Sequence, residues 1–168
     1  MTDADKLLCL SNLDPTTLLN DISQDDFSQF CQGFVFTARD FGDGTLGLAW
    51  LASPNAAGGL CETTRVDSAN TLKSLNTGFV TLVNYNTRQP DRLSQLTFAH
   101  EMGHALGSTH DSTSACVPGD AAGNYIMYSR AVKGDKANNA LYSSCSRALM
   151  GTMLNYIVTT KKNCLKGN

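Results

Sequence analysis

The chain has 168 residues, a formal net charge of −2 at pH 7 and 42% hydrophobic residues, which indicates one folded domain over residues 1–168 and excludes a disordered protein. The near-neutral charge, without a long basic run, argues against nucleic acid or an anionic membrane as a partner. No apolar run approaches the ~18 residues that a membrane-spanning helix needs, so we predict no direct membrane insertion by this chain. The acidic amino-terminal residues do not resemble a signal peptide, which leaves a cytosolic protein or a piece of a longer chain.

The first half of the chain is predicted to form one short helix and three strands. The helix is predicted near residues 14–23, where an Asp-Pro pair is followed by apolar residues at helical spacing. Runs of strand-forming residues, each bounded by turn-forming residues, predict strands at 34–37, 46–51 and 78–83.

Two longer helices are predicted in the second half. The first begins at Pro90 and stops at Gly107, and the second begins near Ser144. The predicted buried face of the second carries Leu149, Met153, Tyr156 and Ile157. The region 108–142 is rich in Gly, Ser, Asn and Asp and is predicted to be a loop. Strands that come first, with helices later, indicate an α/β or α+β domain with a small sheet.

The stretch H-E-M-G-H-A-L-G-S-T-H contains all three histidines of the chain. Histidines four residues apart lie on one face of a helix, so His100 and His104 can bind one tetrahedral zinc ion. Glu101 flanks the metal without being a ligand and can take a proton from a zinc-bound water. Gly107 permits a sharp turn through positive φ, which would return His110 to the site as a third ligand.

This spacing, with a methionine-containing turn downstream, is the signature of the metzincin zinc proteases. The segment Y-I-M-Y contains Met127 and is the candidate turn. A methionine there would form an apolar floor beneath the metal. Taken alone, Met127 would fit an ordinary core position better.

Further segments give the chain a more specific resemblance. His110 is followed by Asp111, as in the adamalysin (reprolysin, ADAM) subgroup of the metzincins. The other segments similar to that family are F-T-A-R-D-F at 36–41, L-G-L-A-W at 46–50, S-L-N-T-G at 74–78, G-N-Y-I-M-Y at 123–128, G-D-K at 134–136 and N-N at 138–139. They are most similar to the kuzbanian branch of membrane-anchored sheddases, related to the TNF-α convertase. The resemblance covers about residues 13–165.

The resemblance implies a metzincin-type fold with a small mixed sheet, an active-site helix and a C-terminal helix. It implies a sheddase-type endopeptidase that cleaves extended protein segments with a Glu-assisted, zinc-bound water. It also implies that His100, His104 and His110 bind one zinc ion per chain. Glu101 would be the general base, and Met127 would be the Met-turn methionine. The implied cleft-edge strand, which receives the substrate as an added strand, is Gly44, Thr45, Leu46, Gly47 and Leu48. From the residues alone, an interior strand is equally compatible with this segment.

Six widely spaced cysteines suit a disulfide-linked extracellular domain, with six free thiols in a cytosolic enzyme as the alternative. Six cysteines allow 15 pairings, among which the sequence alone does not choose. The resemblance implies the pairs Cys116–Cys145 and Cys61–Cys164. The family partner of Cys31 lies on a strand that this chain is expected to lack. A bond between Cys9 and Cys31 would replace this missing pairing. Without such a bond, Cys31 is expected to be a free thiol in an incomplete domain.

The chain departs from the family pattern at its start. Family catalytic domains begin with a strand, a long helix and a second strand, all of which are expected to be missing before residue 13. The pro-segment and the disintegrin-type, cysteine-rich and membrane-spanning parts are expected to be missing too. The leading interpretation is an extracellular or cell-surface zinc endopeptidase that acts on proteins or peptides, in particular membrane-protein ectodomains. The alternatives are a truncated zinc- and peptide-binding module that cleaves nothing, and an intracellular zinc hydrolase with reduced cysteines.

Overall fold

The computed structural model describes residues 14–63, 65–66, 71–119, 121–160 and 163–166. Its helices are α1 (Pro15–Ile22), α2 (Asp91–Ala105) and α3 (Ser144–Thr159), with a 3-10 turn at Ala137–Ala140. Its strands are β1 (Gly33–Thr37), β2 (Gly47–Ala49), β3 (Arg65–Val66), β4 (Leu72–Lys73), β5 (Thr77–Thr81), β6 (Val83–Asn84) and β7 (Thr87–Arg88). The predicted combination of a small mixed sheet with helices is confirmed.

The main sheet has three strands in the order β1-β5-β2. The central strand β5 is buried along its whole length, is parallel to β1 and is antiparallel to β2. Strand β2 therefore lies at the sheet edge, and no other described strand pairs with its outer side. A free strand edge exposes main-chain N–H and C=O groups.

Helix α1 covers one face of this sheet. Asp14 caps the helix, since its Oδ1 accepts a hydrogen bond from the Thr17 N–H at 3.0 Å. The apolar face of α1 packs against Phe41 and Phe79, both of which are almost fully buried. The predicted helix is confirmed to within one residue at each end.

Helix α3 is confirmed in position, but its predicted buried face is partly wrong. Leu149 is 42% exposed, whereas Met150, Met153 and Ile157 are buried. The latter two pack against the loop that contains Leu60. Since residues 149 and 150 are both apolar, only the direction from which the rest of the chain packs decides which of them is covered.

Two disulfides tie distant parts of the chain together. Cys61 is bonded to Cys164 and Cys116 to Cys145, which are the pairs that the family resemblance implies. Cys31 is a free thiol in the structure. The other half of the suggested Cys9–Cys31 bond, Cys9, lies outside the described residues.

Strand β1 contributes aromatic residues to the same side of the sheet as α2. Phe34 and Phe36 pack against Phe98 of α2, with ring centroids 5.0 and 5.6 Å from that of Phe98, and Phe36 is nevertheless 56% exposed.

Of the described helices, none has both the length and the apolar character that crossing a membrane requires.

Candidate metal centre and cleft

Helix α2 carries two of the three histidines of the motif. His100 and His104 lie one turn apart on this helix, with their ring centroids 4.8 Å apart. The helix ends at Ala105, and Gly107 turns the chain with φ of 94°, a conformation that costs glycine little. A hydrogen bond from the Ser108 N–H to the Gly103 carbonyl, 2.9 Å long, closes this turn.

The turn brings His110 back to the helix. The Nε2 atoms of His100 and His110 are 3.1 Å apart, those of His104 and His100 are 3.1 Å apart, and those of His104 and His110 are 3.2 Å apart. Three imidazole nitrogens thus converge on a single point at the surface of α2.

The other ring nitrogens of the two helical histidines face backbone carbonyls. His100 Nδ1 lies 2.7 Å from the Ile126 carbonyl oxygen, and His104 Nδ1 lies 2.8 Å from that of Ser108. A carbonyl only accepts hydrogen bonds, so each Nδ1 carries the proton and donates it. In the neutral rings, the Nε2 lone pairs of His100 and His104 are therefore available as metal ligands.

The donor set fits a zinc ion. In a tetrahedral site with metal–nitrogen bonds of about 2.0–2.1 Å, two nitrogen ligands lie roughly 3.3–3.4 Å apart, close to the distances between these three nitrogens. Burial lowers the pKa of His100. Burial also lowers the pKa of His104, to about 4, and the neighbouring His100 imidazole adds to this effect. Neutral imidazoles at physiological pH are the form that binds metal ions.

Glu101 lies on α2 directly beside this cluster. Its side chain is 5% exposed, and burial raises the pKa of its carboxyl to about 8; a cation held by the histidines would act in the opposite direction. The carboxylate packs against Gly47 of β2, where an added Cβ would lie 2.8 Å from Glu101 Cγ and 3.0 Å from its Oε1. The general-base candidate therefore lies between the histidines and the edge strand.

Met127 packs against α2 at Gly103, the residue before His104. It is fully buried, and its backbone carbonyl accepts a 2.8 Å hydrogen bond from the Asp111 N–H. Gly103 allows this close approach, since a Cβ there would lie 2.3 Å from Met127 Sδ. The helix and the methionine turn thus pack together with no room for a side chain at position 103.

Substitution of Gly103 by alanine is accordingly expected to lower the free energy of unfolding by about 1–3 kcal/mol, the usual cost of overpacking a core. Urea denaturation of the purified chain measures this value. Gly151→Ala on α3 is the matched control, because its added Cβ meets no atom within 4 Å and alanine favours a helix. Equal stability of the two variants would contradict the described packing.

Asp111, the residue after His110, is buried and ties this part of the chain to the start of α3, a contact that the sequence did not predict. Its buried Oδ1 accepts hydrogen bonds from Ser143 Oγ at 2.6 Å and Ser146 Oγ at 2.7 Å. Ser143 is also the N-cap of α3, so the Asp111 carboxylate lies at the N-terminus of that helix. The sequence shows an aspartate directly after the third histidine of the motif. It does not show the two serine partners of this aspartate, because they are more than 30 residues away.

A cleft of about 500 Å³ runs along the cluster of three histidines. Its walls contain every residue of the suggested cleft edge, the three histidines and Glu101 of the motif, and residues from α2 and from the segment at and after the methionine turn. The lining residues are Gly44, Thr45, Leu46, Gly47, Leu48, Leu93, Leu96, Thr97, His100, Glu101, His104, His110, Ile126, Tyr128, Ser129, Arg130, Ala131 and Val132. Of the suggested edge, only Gly47 and Leu48 belong to β2. The Thr81 N–H binds the Leu46 carbonyl at 2.8 Å and so holds the preceding segment to the sheet.

The sequence is similar to known metallopeptidases. Residues 6–156 match the family described as "Metallo-peptidase family M12B Reprolysin-like". The chain is 50% identical over 151 residues to the Caenorhabditis elegans homolog of disintegrin and metalloproteinase domain-containing protein 10, covering 86% of this chain and 16% of that protein. It is 48% identical over 132 residues to the human protein 10, covering 74% of this chain and 18% of that protein. Identity to the C. elegans protein 17 homolog is 36% over 143 residues. The chain thus spans less than a fifth of the length of the two protein 10 relatives.

Proposed function

Because this chain belongs to the reprolysin-like M12B family of metallopeptidases, we propose that it is a zinc-dependent endopeptidase of the ADAM sheddase type. One zinc ion per chain would be held by His100, His104 and His110. The single observation that supports this most strongly is the convergence of the three Nε2 atoms within 3.2 Å of one another. Uncharged nitrogen lone pairs so close together are stabilised by a shared cation.

Glu101 is the proposed general base. It accepts a proton from the attacking water as the water oxygen adds to the scissile carbonyl carbon, and it then donates this proton to the leaving amine nitrogen as the C–N bond breaks. Its position beside both the histidines and Gly47 supports this double role. Zinc, when bound, supplies a Lewis acid for the carbonyl and favours deprotonation of water near neutral pH.

The substrate is proposed to bind as an extended strand along Gly44–Leu48. Gly47 and Leu48 belong to β2, the strand at the open side of the sheet, and all five residues line the cleft. The outward-facing main-chain groups of β2 are therefore available to a peptide. Pairing along this edge holds the scissile bond next to Glu101. Cleavage would then depend on an extended backbone, which is typical of exposed, flexible protein segments.

We further propose membrane-protein ectodomains as the physiological substrates, and the cell surface or the extracellular space as the compartment. The resemblance to the kuzbanian branch supports the substrate class. The two disulfides support the compartment, because such bonds form and persist in oxidising surroundings.

Metal analysis combined with peptide cleavage tests the proposed function. The purified chain should contain one zinc per molecule and cleave members of a generic peptide library. Removal of the metal with 1,10-phenanthroline should reduce cleavage to background, and added zinc should restore it. Elemental analysis and mass spectrometry of the products measure the two properties separately.

His104→Ala is the corresponding variant for this experiment, since it removes a ligand from the middle of the cluster. It should lose both zinc and cleavage. A chain that binds one zinc and peptides but cleaves no peptide would instead be the non-catalytic binding module. A chain that contains no zinc would overturn the assignment of the site.

A further inference from the structure

The cleft has an asymmetric charge distribution outside the metal centre. Apart from the three histidines and Glu101, its lining is neutral except for Arg130. Leu93, Leu96 and Val132 make the wall near Arg130 largely apolar. Outside the metal centre, Arg130 is therefore the one described lining residue that presents a formal charge to a ligand in the cleft.

Arg130 is exposed, and no hydrogen bond or ion pair joins its side chain to the described residues. Arg88, by contrast, is paired with Asp91 at 3.1 Å. Asp43, which precedes the cleft edge in sequence, does not line the cleft, and its Oδ1 accepts a 2.9 Å hydrogen bond from the Thr45 N–H. The guanidinium of Arg130 is therefore available to a ligand in the cleft.

The contacts between β2 and α2 show on which side of the metal Arg130 lies. Gly47 faces Glu101, and the Ala52 N–H binds the His104 carbonyl at 3.1 Å, so the chain after Gly47 runs toward the C-terminal end of α2. Residues 44–46 consequently lie toward the N-terminal half of α2, which contains Leu96.

The segment that carries Arg130 lies toward the same half of α2. Val132 packs against the cluster of Leu96, Ile126 and Met127, and an added Cβ at Gly134 would touch Leu96 Cδ1 at 2.8 Å. Arg130 and Gly44 therefore line the same end of the cleft. A peptide that adds to β2 in the antiparallel sense places the residues after its scissile bond at this end.

We propose that Arg130 is a specificity-determining residue that favours substrates with an aspartate or glutamate within about three residues on the carboxyl side of the scissile bond. This inference rests on the proposed endopeptidase function. A guanidinium and a carboxylate form charge-assisted hydrogen bonds with two matching donor–acceptor pairs. Because Arg130 is exposed, the selectivity is moderate and decreases as the salt concentration rises.

The test uses pairs of peptides that differ only by glutamate or glutamine, placed in turn at each of the three positions on either side of the scissile bond. For the wild-type chain we expect kcat/KM to be about two- to five-fold higher for the glutamate peptide at one or more carboxyl-side positions. Arg130→Gln should abolish this ratio, and Arg130→Glu should reverse it and favour a lysine peptide. Arg147→Gln removes an exposed arginine from α3, outside the cleft lining, and should keep the wild-type ratio.

A measurement of peptide binding distinguishes failure of this inference from failure of the proposed function. Fluorescence anisotropy with the same peptides and the Glu101→Gln variant, with or without Arg130→Gln, measures selectivity without turnover. Cleavage with equal rates for glutamate and glutamine peptides would overturn the role of Arg130 and leave the endopeptidase function intact. Selective binding that depends on Arg130, without any cleavage by the wild-type chain, would support the role of Arg130 and overturn the endopeptidase. Absence of peptide binding would overturn both.

Discussion

Replacement of Glu101 by glutamine is expected to lower kcat by about 10²–10⁴-fold, the usual contribution of a positioned general base, and to leave one zinc per chain. Glutamine has nearly the same shape as glutamate, so it preserves the packing against Gly47, but its amide does not accept the proton of the attacking water. Elemental analysis and initial rates of peptide cleavage measure the two properties on the same sample.

Glu62 provides the matched control for this substitution. It is also a buried glutamate, 8% exposed, and it does not line the cleft. Glu62→Gln is expected to retain wild-type cleavage. Activity of Glu101→Gln near the wild-type level would rule out the proposed mechanism, whereas loss of zinc from that variant would show that the ligand set is different.

Removal of the Cys116–Cys145 disulfide, by alanine at both positions, is expected to lower the free energy of unfolding by about 2–4 kcal/mol. The bond closes a loop with a sequence separation of 29 residues, which restricts the unfolded chain. The hydrogen bonds of Asp111 to Ser143 and Ser146 join the same two regions, so the native structure keeps a connection there. Urea denaturation, with and without bound zinc, measures the loss.

Cys31→Ala is the control for this pair, since Cys31 is a free thiol and its removal opens no loop. We expect it to change the stability by about 1 kcal/mol or less. If the double variant unfolded at the same urea concentration as the Cys31 variant, the disulfide would have no cross-linking effect on stability. Non-reducing peptide mapping of the wild-type chain shows independently whether the bond is present.

Several features of this protein follow from local sequence spacing. The positions of His100 and His104 depend on the helical repeat alone, because residues four apart meet on one face. The start of α1 likewise depends on one N-cap side chain and its nearest backbone N–H groups. Such features involve contacts within one or two turns, so the pattern of residue types is sufficient to predict them.

The tertiary structure decided the features that depend on distant parts of the chain. The partner of His100 Nδ1 is the backbone carbonyl of Ile126, and no residue type in the sequence identifies a carbonyl as a partner. Leu149 and Met150 are both apolar, yet only Met150 is buried, because packing from distant parts of the chain decides which of two neighbouring apolar residues is covered.

The edge position of β2 and the place of Arg130 in the cleft also depend on parts of the chain that are distant in sequence. A strand pattern shows which side chains alternate between the two faces but not which strands lie on either side. The sequence of Gly44–Leu48 is therefore compatible with an interior strand, and only the order β1-β5-β2 places β2 at the edge of the described sheet. Arg130 is an ordinary arginine in a loop-like stretch, and only the folding of that stretch along α2 brings it to the cleft wall. Local spacing thus determined the three-histidine motif, whereas long-range packing decided what surrounds it, because packing partners far apart in sequence leave no periodic signal.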